Sequence, residues 1–190
     1  MMRYKVLLTG LLLSLVLAGC GGVSPTVFYN PEFNFNYIER VAVVPFENLS
    51  NDQGAGARAT RFCVTDLLAR NAFDVVEPGE VGKALEKYSV IRTAELTKEQ
   101  IIAIGTELKV QALLLGSVGE SETIRSGSAN SNTVTLVLRL VETEKGVTVW
   151  SSTVTEGGRG FWASILGTGE KSRSEVMRKA MHRAIGTLVK

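Results

Sequence analysis

Side chains capable of chemistry are few in this chain, and they are scattered. There is one histidine, His182, and there are two cysteines, Cys20 and Cys63. A hydrolytic triad needs a histidine aimed at a nucleophile and a carboxylate, and no G-x-S-x-G elbow accompanies His182. His182 instead sits among Arg178, Lys179 and Arg183, on the outer side of the helix that the periodicity predicts, where a solvated histidine is ordinary. One histidine and one internal cysteine cannot make a Cys/His zinc set, so no metal site is expected. Gly54-Ala55-Gly56-Ala57-Arg58-Ala59 matches the G-x-G-x-x-A dinucleotide fingerprint, with Asp74 and Glu77 near the distance expected of its acidic partner. That fingerprint needs its first glycine directly at a strand end, whereas Gly54 comes eight positions after Phe46. These glycines are better read as room for a helix to begin close to a sheet. Glu142 and Glu144 flank a turn and read as solvated charges. The chain is expected to be no enzyme and to hold no cofactor.

Cys20 stands apart because of what precedes it. Arg3 and Lys5 lead an apolar-to-small run from Val6 to Val16, which ends in Leu17-Ala18-Gly19-Cys20. Those eleven residues are too few for a membrane-spanning helix, which needs about 20, and the order is that of a cleavable export signal. The Leu-Ala-Gly-Cys ending resembles the lipobox of bacterial lipoproteins. What that resemblance implies is thioether attachment of diacylglycerol to Cys20, cleavage before it, and acylation of the new amine. Several acyl chains on one residue hold a protein stably where a single chain is marginal. Gly21, in place of aspartate, implies the periplasmic face of the outer membrane. Residues 1–19 are thus expected to be a signal peptide. Their loss removes Arg3 and Lys5 and leaves 19 Lys plus Arg against 19 Asp plus Glu, from 21 against 19 in the full chain. A neutral body has no basic excess to hold a phosphate backbone, so nucleic acid is excluded as a partner. With the Cys20 sulfur carrying lipid, Cys63 is expected to be a buried free thiol.

The elements that must carry any site follow from periodicity. Residues 20–37 read as a lipidated tether, rich at first in Gly21, Gly22, Ser24 and Pro25, whose end alternates Phe33, Phe35 and Tyr37 with asparagines as a short strand. That strand either packs on its own domain or docks on a neighbouring subunit. Val41–Phe46 is a continuous apolar strand stopped by Pro45 and the turn-rich Asn48-Leu49-Ser50-Asn51-Asp52. A helix over residues 56–70 turns Ala59, Phe62, Cys63 and Leu67 inward. Phe73–Val76 is a short strand, and Pro78 opens a helix with Val81, Ala84, Leu85 and Tyr88 on one face. Thr97-Lys98-Glu99-Gln100 is a capping-box pattern ahead of Ile101, Ile104 and Leu108. Val110–Val118 is the most apolar strand and so the expected centre. Thr133–Glu142 and Val147–Thr155 form a hairpin turned by Lys145-Gly146. After a glycine-rich stretch, Gly157–Gly169, a last helix buries Met177, Ala180, Met181, Ala184, Ile185 and Leu188, with Glu175 and Lys179 paired outside. Phe161 and Trp162 in that stretch either cover the sheet edge or form a contact patch. The expected fold is α/β (α+β), a single mixed sheet of about five strands covered by about four helices, in the order β-α-β-α-α-β-β-β-α.

Arg40-Val41-Ala42-Val43-Val44-Pro45-Phe46-Glu47-Asn48-Leu49-Ser50, then Val110 to Gly116, Val134 to Val141 and Glu144-Lys145-Gly146-Val147-Thr148-Val149-Trp150-Ser151, resemble the CsgG family. Related domains occur in the lipoprotein LpoB, which activates a peptidoglycan synthase, and at the N-terminus of TolB. The resemblance covers residues 38–189 and implies a CsgG-like periplasmic domain over 38–190. It also implies a non-catalytic, lipid-anchored protein that assembles with itself or docks on another envelope protein. Channel-forming relatives carry long amphipathic hairpins between the later strands, each strand needing about 9 to 11 residues to cross a membrane. Gly119–Asn132 is a connection of fourteen residues rich in Ser, Gly and Asn, so a membrane pore is not expected from this chain alone. The reading is an accessory outer-membrane lipoprotein of assembly or secretion, with Cys20 as anchor and with Phe33, Phe35, Tyr37, Phe161 and Trp162 as candidate contacts. The alternative is a regulator that binds and activates a peptidoglycan synthase.

Overall fold

The computed structural model describes residues 24–126, 129–157 and 171–189. Cys20, Phe161 and Trp162 lie outside the described residues, as does the expected signal segment 1–19. Among the described residues, seven strands form one open mixed sheet, and four helices pack on it. In chain order these are β1 (Thr26–Tyr29), β2 (Arg40–Val43), β3 (Glu47–Asn48), α1 (Ala55–Arg70), β4 (Asp74–Val75), α2 (Pro78–Lys87), α3 (Lys98–Leu108), β5 (Ala112–Ser126), β6 (Ala129–Glu142), β7 (Thr148–Gly157) and α4 (Arg173–Leu188). Across the sheet the order is β1-β7-β6-β5-β2-β4, with β3 paired to β5 beyond the end of β2. β2 and β3 run parallel to β5, and β4 runs parallel to β2; β5, β6, β7 and β1 are joined antiparallel.

Alternation decides which helix covers what. Val41, Val43, Ala112, Leu114, Leu136, Leu138, Leu140 and Trp150 point to one face, against Ala59, Cys63 and Leu67 of α1 and Met177, Met181 and Ile185 of α4. Ala42, Val44, Leu113, Leu115 and Val141 point to the other, against Val81 and Leu85 of α2 and Ile101, Ile104 and Leu108 of α3. The first part of β5, Ala112–Leu115, is therefore apolar on both faces, which explains its hydrophobic run and its central place. Thr97 caps α3 in a capping box with Gln100. Cys63 is fully buried, and burial pushes its thiol pKa up, away from reactivity.

Four local readings are corrected. Phe33, Phe35 and Tyr37 do not form a strand; Phe35–Tyr37 is a 3-10 turn, and the edge strand falls earlier, at β1. Side-chain turns override the alternation, because Asn30 accepts from the Glu32 amide at 3.0 Å and Asn34 from the Asn36 amide at 3.1 Å. Gly119–Asn132 is not a loop. β5 and β6 continue through it, shifting register once at Gly119 and then pairing residue by residue from Glu120 and Thr135 to Ser126 and Ala129. Polar cross-strand contacts hold this extension, such as Thr123 Oγ1 to Asn132 Oδ1 at 2.6 Å, so it carries no apolar signature. Glu142 is not solvated but only 4% exposed, its carboxylate accepting from the amides of Glu144 and Lys145 at 2.9 Å and so shaping the hairpin turn. Lys179 pairs not with Glu175 but with Glu156 at 2.9 Å, because β7 brings that buried carboxylate beneath α4.

Gly56 shows why the first helix needs its glycine. A Cβ there would lie 2.4 Å from the Phe46 carbonyl oxygen, a backbone atom that cannot step aside, so α1 starts tight against the end of β2. A Cβ at Gly82, inside α2, meets nothing within 4 Å. Gly56→Ala should therefore destabilise the protein by about 1–3 kcal/mol, whereas Gly82→Ala should stabilise it by up to about 1 kcal/mol; urea unfolding of both variants measures the difference and its opposite signs.

Candidate interaction surface

The aromatic residues after β1 divide by burial. Phe33 and Phe35 pack against the α1/α4 core, their rings 5.3 Å apart and edge to face, and Tyr29 meets Phe35 at 6.1 Å in the same manner. The Tyr29 hydroxyl donates to the Thr187 carbonyl oxygen, closing the segment onto the end of α4. Only Tyr37 of the three is strongly exposed, at 45%. Its hydroxyl donates to Glu144 Oε1 at 2.7 Å, and this bond to a carboxylate raises the Tyr37 pKa. A cleft of about 250 Å³ opens here, lined by Asn30, Glu32, Phe33, Tyr37, Glu144 and Lys145 among others. It offers carboxylates, an amine and two aromatic rings, a set suited to polar contact rather than to nucleophilic chemistry.

The larger exposed feature is half of one sheet face. α1 and α4 cover their face from β2 to β7, but α2 and α3 cover only the β2 and β5 side of the other. The row Phe28, Ser151, Arg139, Leu115 shows the transition, running from solvent into the α2/α3 core. The rows beside it carry Thr26, Thr153 and Val137, then Thr155, Thr135 and Glu120. Phe28 is 50% exposed and Val137 39%. Thr135 Oγ1 donates to Glu120 at 2.9 Å and lies 3.0 Å from Thr155 Oγ1, while Arg139 Nη2 donates to the Ala94 carbonyl at 3.0 Å. This is a flat threonine-lined surface with two apolar side chains and a guanidinium edge, of the composition that interfaces use. The sequence reading passes over it, although outward Val137 among polar outward neighbours was a visible signal.

One part-buried carboxylate, Asp52, and one buried one, Glu156, fasten the frame around these surfaces. Asp52 accepts from Ser121 Oγ at 2.6 Å, pairs with Arg58, and lies 3.6 Å from Arg173, so it ties the loop after β3 to α1, β5 and the start of α4. Burial would raise its pKa, but the hydrogen bonds from Ser121 and Arg58 and the nearby guanidinium charges outweigh burial and hold it below the usual range. Glu156 on β7, 6% exposed, pairs with Arg183 and Lys179 of α4. Burial opposes its ionisation too, and the two cations again win, lowering the pKa. His182 is exposed and contacts Asp66 Oδ1 at 2.8 Å, an ion-pair position on the α1/α4 surface. Among the described residues, no group of three or more His, Cys, Asp or Glu could hold a metal ion, and no helix is long and apolar enough to cross a membrane.

The sequence model of the family described as "Peptidoglycan-synthase activator LpoB" matches residues 30–155. No curated protein matches the chain significantly by sequence. Among solved structures, the PelC dodecamer from Paraburkholderia phytofirmans superposes with a TM-score of 0.58 at 17% identity, covering 88% of this chain and 99% of that one. Lipoprotein GNA1162 from Neisseria meningitidis gives 0.53 at 18% identity, covering 68% and 92%. The LpoB C-terminal domain from Salmonella enterica gives 0.47 at 19% identity, covering 62% and 81%. At these identities the likeness is one of fold.

Because the folded pKa values of Asp52 and Glu156 lie below their unfolded ones, the stability these groups add is present at neutral pH. It is lost as pH falls below the ordinary carboxylate range, about 4. Glu156→Gln should cost about 1.5–3 kcal/mol at pH 7 and flatten the acid limb of stability between pH 7 and about 3, measured by urea unfolding across that range.

Proposed function

Because the chain belongs to the LpoB family of peptidoglycan-synthase activators, we propose that it is a non-catalytic envelope lipoprotein that binds a peptidoglycan synthase and raises its activity. The observation that carries this reading is the family match itself, which spans β2 through β6 and nearly all of β7. In this reading residues 1–19 are removed and Cys20 carries lipid at the periplasmic face of the outer membrane. Residues 38–190, with β1 laid along their sheet, form the body that meets the partner. An activator acts through a surface that its own core does not consume, and the half-open sheet face with Phe28, Val137 and Arg139 meets that requirement. Phe161 and Trp162, which follow β7 in the chain, and the exposed Tyr37 are further candidates for the same contact.

Self-association is the second reading. Its support is the place of β1 at the margin of the sheet among the described residues, in a fold shared with the PelC dodecamer. The two readings separate by experiment. The mature body, mixed with a peptidoglycan synthase of the same organism, should form an equimolar complex and raise polymerisation by the synthase severalfold. Phe28→Glu and Val137→Glu should each weaken that complex about tenfold or more with thermal unfolding unchanged. No complex, with no change in polymerisation, would sink the activator reading. For self-association, native mass of the mature body at high concentration should show several subunits, and a monomer at every concentration would remove it.

A further inference from the structure

We propose that the extended β5–β6 arm rests against the lipid headgroups of the membrane that holds Cys20, so that the domain stands on its arm. This rests on the lipidation of Cys20 proposed above. The strand directions place the arm and the anchor at one end of the molecule. β5 runs outward from Ala112 to Ser126, and β1, antiparallel to β7, has its N-terminal end on that same side. Thr26 shares a row with Thr153, Val137 and Ser117. From that row the chain has six residues back to Cys20, whose full extension reaches at most about 21 Å. The arm has nine residues from Ser117 to Ser126, which at about 3.4 Å each carry it roughly 30 Å in the same direction. The anchor, stretched straight, falls about 10 Å short of the end of the arm. Any slack in residues 21–25 widens the shortfall, so acyl chains seated in the bilayer bring the arm onto its surface.

The chemistry of the arm suits a headgroup layer. Beyond the last row shared with β7, Glu122-Thr133-Gly157, only the four pairs from Thr123 and Asn132 to Ser126 and Ala129 remain, far fewer than a crossing strand needs. Residues 119–124, 131 and 132 carry Gly, Glu, Ser, Thr and Asn, and Ile124 is their one large apolar residue, 50% exposed. Such a ribbon exchanges hydrogen bonds with phosphates and glycerol esters and inserts one apolar side chain at the boundary. Lys145, at the β6–β7 turn, is at the far end of the sheet and faces away from the membrane.

The test uses full-length protein purified from the bacterial envelope and reconstituted into phosphatidylethanolamine/phosphatidylglycerol vesicles doped with a headgroup spin-labelled lipid. Ile124→Cys and Lys145→Cys each carry an environment-sensitive fluorophore, Cys63 being fully buried and silent. Intact mass first reads the acyl chains on Cys20. The label at 124 should be quenched severalfold more than the label at 145, with a blue shift, and Cys20→Ala should abolish both effects. If Ile124→Cys does not fold, Glu122→Cys, on an exposed neighbouring position, reports the same contact. Equal quenching at both ends of an acylated protein overturns the proposal and leaves the anchor standing. An unacylated Cys20 removes the premise and the proposal with it.

Discussion

Burial of Leu113, Leu114 and Leu115 on both faces of β5 is the constraint from which the rest of the molecule follows. A strand that is apolar on two sides must have helices on both, and the four helices among the described residues, ten to sixteen residues long, do not cover both faces of the seven-strand sheet. α1 and α4 cover one face through to β7, and α2 and α3 reach only across β2 and β5. The half-open face is thus a consequence of how the core is shared out. Its outward residues are accordingly threonines and serine around Phe28 and Val137, side chains compatible with water and with a partner alike.

Helical periodicity and the alternation of the long apolar strands were read correctly, whereas the short alternation at Phe33–Tyr37 was not. The capping box at Thr97, the inward faces of all four helices, the central position of β5 and the row Val134, Leu136, Leu138, Leu140 were all legible, because each is set by local chemistry or by repeat. What stayed hidden was set by other forces. The strand expected at Phe33–Tyr37 gave way to asparagine side-chain turns. The β5–β6 arm is polar on both sides, so no alternation announced it. Glu142 read as a solvated charge although the amides of its own turn hold it, and the roles of Asp52 and Glu156 stayed hidden because Ser121 and the cations of α4 reach them from distant parts of the chain.

Those carboxylates share one logic. Each is taken out of water at the margin of the core and compensated by two or more donors: amides for Glu142, cations for Glu156, and a hydroxyl with cations for Asp52. Asp52 and Glu156 also join elements that the apolar core alone leaves free to slide, such as the loop after β3 against α4. Polar fastening at the periphery sets angles that a greasy interior, which is not directional, leaves soft.

The way the chain leaves β1 gives the protein a mechanical polarity. Tension arriving from the N-terminal side acts along the strand, so the β1–β7 ladder is loaded in shear and its four residue pairs resist together. Peeling would open them one after another. At the far end of the strand, the Tyr29 bond to Thr187 and the edge-on Phe35 ring act as a stop against slippage. A tug that would strip a loosely attached edge strand is therefore passed on to the body as a whole.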